Sequence, residues 1–518
     1  MRQGFLSFAI GCLAAPLSPL PASAAPTTAP IEAPAEDVEA SRLAVAGMDI
    51  DRLVSDPAFA GEMIVHLDRL AAVAAGDPGT SLAIDNLRLL ALVTLERADE
   101  ARAVIDRSLG RRPNEASSYA ALWYAALSLG DSQRGLAVVE QASRNVSGVG
   151  WSELREILDR NQVFSLFQQF QAQRDKASRG RLAEALLRIG WPGPGSREIA
   201  DSVRLVLIEH RLEQGDRAAA ADLAAGVMTP SNVASLIVRK RFDGLFPAGM
   251  DRLARLRQAL EEHDRHTAEL QAAAPQDMGR LVERSQLLRT LGRDGDALGL
   301  LRPFIADPAA TATREEQGMW VVNEATYALI ALGRKDEAVA LMGRLAALPL
   351  AEHPYLISAD INYGEVLWEA GRYADSLAHA RRLESEFLEF ASDYGTMWIR
   401  ATIVCALASL ERAAEAAPTL ALMQAQSDGN PAAMMRALLC LDDMAAAERL
   451  MVSRLDGDDP EQAVLALQDY ALVPAAAGPD PILERLMALR ERPAVRAALE
   501  RVGRIVQLPV ARTYWGGV

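Results

Sequence analysis

Lysine is nearly missing from this chain of 518 residues: Lys176, Lys240 and Lys335 stand against a large excess of arginine, the bias of a GC-rich bacterial coding sequence. Aromatic residues make up only 5%, and there are six histidines and three cysteines. Val, Ile and Thr never gather into the alternating runs that half-buried strands need, which excludes a sheet-built fold. Past the N-terminus no apolar run is long enough to cross a bilayer. Glycine-rich phosphate loops, GxGxxG, GxSxG, HExxH and CxxC are all absent, so the commonest nucleotide, hydrolase and zinc chemistries have no foothold. A net charge of −15 repels phosphate backbones and makes nucleic acid an unexpected partner.

What is present is alanine and leucine in quantity, both strong helix formers, over a length too great for one ordinary core. The first residues have the form of a secretory signal peptide. Arg2 precedes an apolar stretch from Gly4 to Ala15, and Ala22-Ser23-Ala24 supplies a small-x-small cleavage pattern. Cleavage after Ala24 predicts an exported, periplasmic protein with no transmembrane segment. Acylation at Cys12 is the alternative, without the leucine usual three residues before such a cysteine. Residues 25–40 mix Pro26, Pro30 and Pro34 with acids and read as a disordered linker. Cys405 and Cys440 lie in apolar helical stretches and are expected as buried thiols, with a bridge as the alternative.

One pattern recurs along the chain. A helix ends at a glycine, a polar residue follows, and a small residue comes five positions after the glycine. The turns are Gly130, Gly180, Gly215, Gly292 (with Ala297), Gly333 (with Ala338) and Gly371 (with Ser376), and Glu96 and Glu411 fill the same place. Glycine takes the left-handed conformation that stops the first helix. The small residue sits where two antiparallel helices cross. Glu96 and Gly130 are 34 residues apart, and the unit around Gly371 carries Gly364 and Tyr373. In these features the chain resembles the tetratricopeptide repeat (TPR) family. Spacings of 38 to 41 residues further on, and the missing first-helix tryptophan in most units, depart from that family.

The resemblance implies an all-α, right-handed superhelical solenoid of antiparallel helix pairs, ten to twelve in number on the repeat lengths seen. The expected layout is a helical array over 41–245, a second over 246–490, and a cap helix with an extended tail over 491–518. Trp191-Pro192-Gly193-Pro194-Gly195 and the stretch 243–280 break the rhythm and are candidate hinges. Arg239-Lys240-Arg241 reads as a solvated helix end.

The resemblance further implies a non-catalytic scaffold that binds envelope proteins or peptides along a concave groove of first helices. Tyr119, Trp123, Asn323, Asn362 and Tyr363 are the groove candidates, and Tyr514 and Trp515 in the tail are candidates for docking. A permanent subunit of an envelope assembly is a related possibility. The cluster Glu262-His263-Asp264-Arg265-His266 with Glu269 is read as a solvated helix face, not a metal site, since metal ligands usually come from more than one element. Glu384-Ser385 resembles the acid of lytic transglycosylases, which would make the chain a cell-wall enzyme. The companion string Ala421-Leu422-Met423-Gln424 lies nearly forty residues on and lacks that family's glycine.

Overall fold

The computed structural model describes residues 35–74, 77–111, 113–193, 196–247, 249–457, 460–474 and 480–513. The signal peptide, Cys12, most of the linker, Tyr514 and Trp515 lie outside them. The described residues are 76% helical, an all-α solenoid of antiparallel helix pairs. It forms two compact units, one up to Val227 and one from Met228. The expected array boundary at 245 falls inside the second unit, where Phe242 and Leu245 are buried.

The turns carry the architecture. Gly130, Gly215, Gly292, Gly333 and Gly371 all have positive φ, between 62° and 79°. Glu96 (57°) and Glu411 (60°) adopt the same conformation despite their side chains. Each turn closes as a Schellman motif, with Asp131 N–H donating to Ala126 O at 2.9 Å and Arg372 N–H to Leu367 O at 2.9 Å. Five residues later Ala101, Ala220, Ala297, Ala338, Ser376 and Ala416 are fully buried at the helix crossing.

Two further turns escape the glycine pattern, Arg174 (φ 55°) and Asp442 (φ 57°). Gly180, read as a turn, instead lies inside the helix Lys176–Arg188. It is small because a Cβ there would fall 2.1 Å from the His210 ring.

The residue after the turn closes the next helix in one of two ways. Asp131, Asp175, Asp216 and Asp443 cap it by accepting a backbone N–H. Where arginine stands there instead, it grips an acid three residues on: Arg97–Glu100, Arg293–Asp296, Arg334–Glu337, Arg372–Asp375 and Arg412–Glu415, at 2.6–2.8 Å. These pairs are exposed and add little stability, but they mark the turn as plainly as the glycine does.

In unit 1 the core runs from Leu53 through Tyr119, Trp123 and Phe170 to Trp191. Trp191, which precedes a cis Pro192, is buried and donates its indole N–H to Leu158 O at 2.9 Å. The helix Ala35–Ala46 begins inside the expected linker, because Val38 and Val45 pack against Leu67 and Leu70.

Unit 2 closes on itself. Its last elements, the helices Glu461–Ala466 and Pro493–Val502 and the strands β1 (Asp469–Leu472) and β2 (Gln507–Ala511), pack on its first. The strands pair in parallel, Asp469 with Gln507 and Tyr470 with Leu508. Arg239 Nη1 meets Glu461 Oε2 at 3.2 Å, and Arg504 holds Asp243 at 2.5–2.6 Å. Lys240 Nζ donates to Glu500 O, and the hydroxyls of Thr290 and Thr513 stand 3.2 Å apart. The basic run 239–241 is therefore not a solvated helix end: Arg239 is 1% exposed and lies over the Phe242 ring at 4.9 Å. Cys405 and Cys440 are not free thiols either. They form a disulfide between the helices Asp393–Ser409 and Pro431–Cys440, whose packing brings their Cα atoms to 5.0 Å.

Candidate functional site: the first-helix face of unit 2

The first helices of successive pairs in unit 2 lie side by side: Met278–Thr290, Glu316–Ala331, Ile357–Glu369, Asp393–Ser409 and Pro431–Cys440. Their apolar residues go to the second helices behind them. The side left over carries charged and aromatic groups, of which Arg289 and Glu324 are buried and Tyr327, Glu365, Trp368, Glu369 and Arg436 half-buried. Arg289 Nη1 bonds Glu324 Oε2 at 2.9 Å, and the guanidinium lies 5.2 Å over the Tyr327 ring. One helix further, Arg436 Nη1 bonds Glu365 Oε1 at 2.7 Å and stacks 5.3 Å over Trp368. Trp368 in turn donates to Ser409 Oγ at 3.0 Å.

Glu369 completes the row. Lys335 Nζ donates to its backbone carbonyl at 2.6 Å, which leaves the carboxylate itself unengaged. Among the described residues no donor reaches that carboxylate or the Tyr327 hydroxyl. Burial, reinforced by the Glu365 carboxylate, pushes Glu369 up to about 7 against the pull of Arg436 and Lys335. Burial also raises the Tyr327 phenol well above its ordinary value. Arg436 is held firmly protonated: burial opposes its charge, and Glu365 and Glu369 more than compensate.

The residues expected on a groove are distributed differently. Tyr119 and Trp123 are both 0% exposed. Tyr119 donates to Pro113 O at 2.6 Å and Trp123 to Gln162 Oε1 at 2.8 Å. They are core residues of unit 1, a correction that follows from their helix being apolar nearly all round. Asn323 is buried and accepts from Asn362 Nδ2 at 2.9 Å, so the two tie adjacent first helices together. Tyr363 stands edge-on to His379 at 5.0 Å. Asn323 and Asn362 lie on first helices of unit 2, and Glu369 sits two turns along the stripe of Asn362. Tyr327, Glu365, Trp368 and Arg436 were missed, because nothing in their local sequence separates them from surface residues.

The other candidates are accounted for by neighbours. Asp264 pairs with Arg284 and with Arg293 at 3.5 Å, and His263 is buried. Among the described residues no group of three potential ligands could hold a metal ion. Glu384 meets Arg400 Nε at 3.1 Å, and Arg400 also donates to Gln426 Oε1 at 2.7 Å. A cavity of about 310 Å³ opens nearby, lined by Asp393, Met397, Gln424, Gln426 and Ser427. Asp360, 2% exposed, is pushed to about 6 by burial, with Arg382 opposing. Its Oδ1 stands 3.4 Å from His379 Nε2.

No protein-family model matches the chain, and no curated protein does. The solved structures to which the chain is similar include the following three. The first is the structure of Naa15/Naa10 bound to HypK-THB, with 13% identity and a TM-score of 0.23; the match covers 83% of this chain and 65% of that one. The second is the P58(IPK) TPR domain, with 11% identity and a TM-score of 0.17, covering 85% of this chain and 98% of that one. The third is a circular tandem repeat protein with novel repeat topology, with 15% identity and a TM-score of 0.13, covering 90% and 96%. The assignment to helix-pair solenoids rests on the turn and crossing geometry above, not on these superpositions.

Proposed function

We propose that this chain is a non-catalytic, exported scaffold that binds partner polypeptides along the first-helix face of unit 2. The observation that carries the reading is the recessed row Arg289–Glu324, Tyr327, Glu365–Arg436 and Glu369. Charged side chains held partly out of water carry a desolvation cost, and the aromatic rings beside them offer apolar contact area. Helix-pair solenoids present such rows to extended or helical segments of other proteins. Export is supported by the Ala22-Ser23-Ala24 pattern. The Cys405–Cys440 bridge adds to it, since disulfides persist in oxidising compartments.

The test is in-cell crosslinking of the tagged protein with identification of what is captured. Wild type should capture the same envelope proteins reproducibly, and Tyr327→Ala should lose them while keeping its circular dichroism. Capture that is indifferent to Tyr327→Ala would remove the face from the reading. N-terminal sequencing of the mature protein should begin at Ala25; an intact N-terminus would sink export by cleavage. In this reading Glu384 serves structure through Arg400, so peptidoglycan zymography should show no clearing that Glu384→Gln abolishes.

A further inference from the structure

Chain ends are poorly ordered unless something ties them down. Here two consecutive residues do so just before the tail. Arg512 donates to Ala466 O and to Gln468 O, both at 2.7 Å, and lies 4.5 Å over the Tyr470 ring. One residue on, the Thr513 hydroxyl stands 3.2 Å from that of Thr290, which is itself buried. Thr290 closes the first helix Met278–Thr290. Its neighbours on that helix, Gln286 and Arg289, both donate to Glu324 of the next first helix, at 3.2 and 2.9 Å. Arg289 also lies 5.2 Å over the Tyr327 ring. The two ties therefore deliver the chain after Thr513 to the edge of the first-helix face, beside Tyr327.

Tyr514 and Trp515 follow directly on Thr513. Two residues span about 7 Å, and packed helices stand about 8–10 Å apart, so both side chains come within range of the helix Glu316–Ala331. At this end of the face Arg289 and Glu324 are committed to each other. What the face offers beside them is the half-buried ring of Tyr327. A charged occupant gains little from an ion pair already closed, whereas an aromatic one gains apolar area and edge-to-face contact. Residues 514–518 carry two aromatic side chains and no charged one. We propose that Tyr514 and Trp515 of this chain's own tail occupy the first-helix face at Tyr327, and that a partner polypeptide takes that end of the face by displacing them. This rests on the scaffold reading and supplies its regulation. A segment tethered at Thr513 competes at a high effective concentration, so a weak binder is refused and a strong one admitted.

The experiment uses the full mature chain and a fluorescein-labelled heptapeptide with the sequence of residues 512–518, read by fluorescence anisotropy. In wild type the attached tail competes with the free peptide. Tyr514→Ala together with Trp515→Ala removes the competitor, and that double variant should bind the peptide about tenfold more tightly than wild type. Adding Tyr327→Ala should abolish the gain, and a peptide with both aromatic residues replaced by alanine should bind neither chain. A second measurement serves if Tyr327→Ala folds poorly. Trp515→p-benzoylphenylalanine, illuminated in dilute solution, should attach within Glu316–Ala331 of the same molecule. Attachment within Pro481–Arg490 or Pro493–Val502 would mean a tail that caps the last helices and would overturn the proposal. So would equal peptide affinity in wild type and the double variant. In-cell capture separates this proposal from the scaffold reading. The double variant should capture envelope partners several-fold better than wild type. Capture that falls instead would make the tail the part that grips the partner, against the proposal. Capture lost in Tyr327→Ala, with peptide affinity indifferent to the double variant, would retain the scaffold and remove the tail from its face. Peptide competition as expected with no captured partner would do the reverse.

Discussion

Asp360 shows how a single side chain can work against the fold that contains it. Its carboxyl is raised from 3.8 to about 6 by burial, so the folded state holds a proton that the unfolded chain has released. Stability from this group is present at low pH and falls as pH rises from about 4 to about 6. Asp360→Asn should remove that decline and stabilise unit 2 by about 3 kcal/mol at neutral pH, a figure that follows from a shift of this order. Urea titrations at several pH values check it, and a variant as pH-dependent as wild type would refute it. Glycines set the opposite kind of constraint. A Cβ at Gly180 would stand 2.1 Å from His210 Cγ, and one at Gly318 would stand 1.9 Å from Thr311 O. Gly180→Ala should lower stability by about 3 kcal/mol, with much of it restored by His210→Ala beside it. Gly318→Ala meets backbone and should find no such rescue. Neither clash was legible in the sequence, since each lies between helices. Of Gly180 only its smallness could be read, and it was assigned to a turn.

At the scale of the element, the turns were the most readable part of the chain. A left-handed residue followed by a small one is a local requirement, and local requirements leave a local mark. The exceptions instruct. Glu96, Arg174, Glu411 and Asp442 all hold positive φ without being glycine, which costs about 1 kcal/mol each. Arg174 and Asp442 were missed because only their backbone follows the rule. Glu411→Gly should therefore stabilise unit 2 by about 1 kcal/mol, while Gly371→Ala should destabilise it by a similar amount. Chemical denaturation measures both; a Glu411→Gly variant weaker than wild type would show that the Glu411 side chain contributes something the turn geometry does not reveal. The proposed face was half readable for a related reason. Helical phase pointed to Asn323 and Asn362, on two of the helices that form it. Which positions remain recessed after packing depends on the neighbouring pair, and the sequence of one helix does not contain it.

For the molecule as a whole, the decisive contacts join residues more than two hundred apart: Arg239 to Glu461, Asp243 to Arg504, Thr290 to Thr513. No periodicity announces them, which is why the basic run at 239–241 looked like surface. Arg239→Ala leaves Glu461 without this partner and removes a buried guanidinium, and should cost unit 2 about 3 kcal/mol. The disulfide acts within the same unit and closes a separation of 35 residues. Reducing it, or Cys405→Ser with Cys440→Ser, should lower the melting temperature of unit 2 by an amount equivalent to about 3 kcal/mol. In calorimetry unit 1 should melt unchanged. A common shift of both transitions would contradict the division at Val227.

Closure has a last consequence, for descent and not for stability. A row of helix pairs with two loose ends can be lengthened or shortened by duplicating or deleting one pair, since each pair touches only its neighbours. Unit 2 has no such freedom. One more pair between Gly292 and Asn430 would carry Arg504 away from Asp243 and β2 away from Thr290, and one fewer would drive them together. Its number of pairs is locked, as the blades of a closed wheel are. Relatives of this chain should vary in length before Val227 and at loop tips, and keep constant the count of helices from Met228 onward.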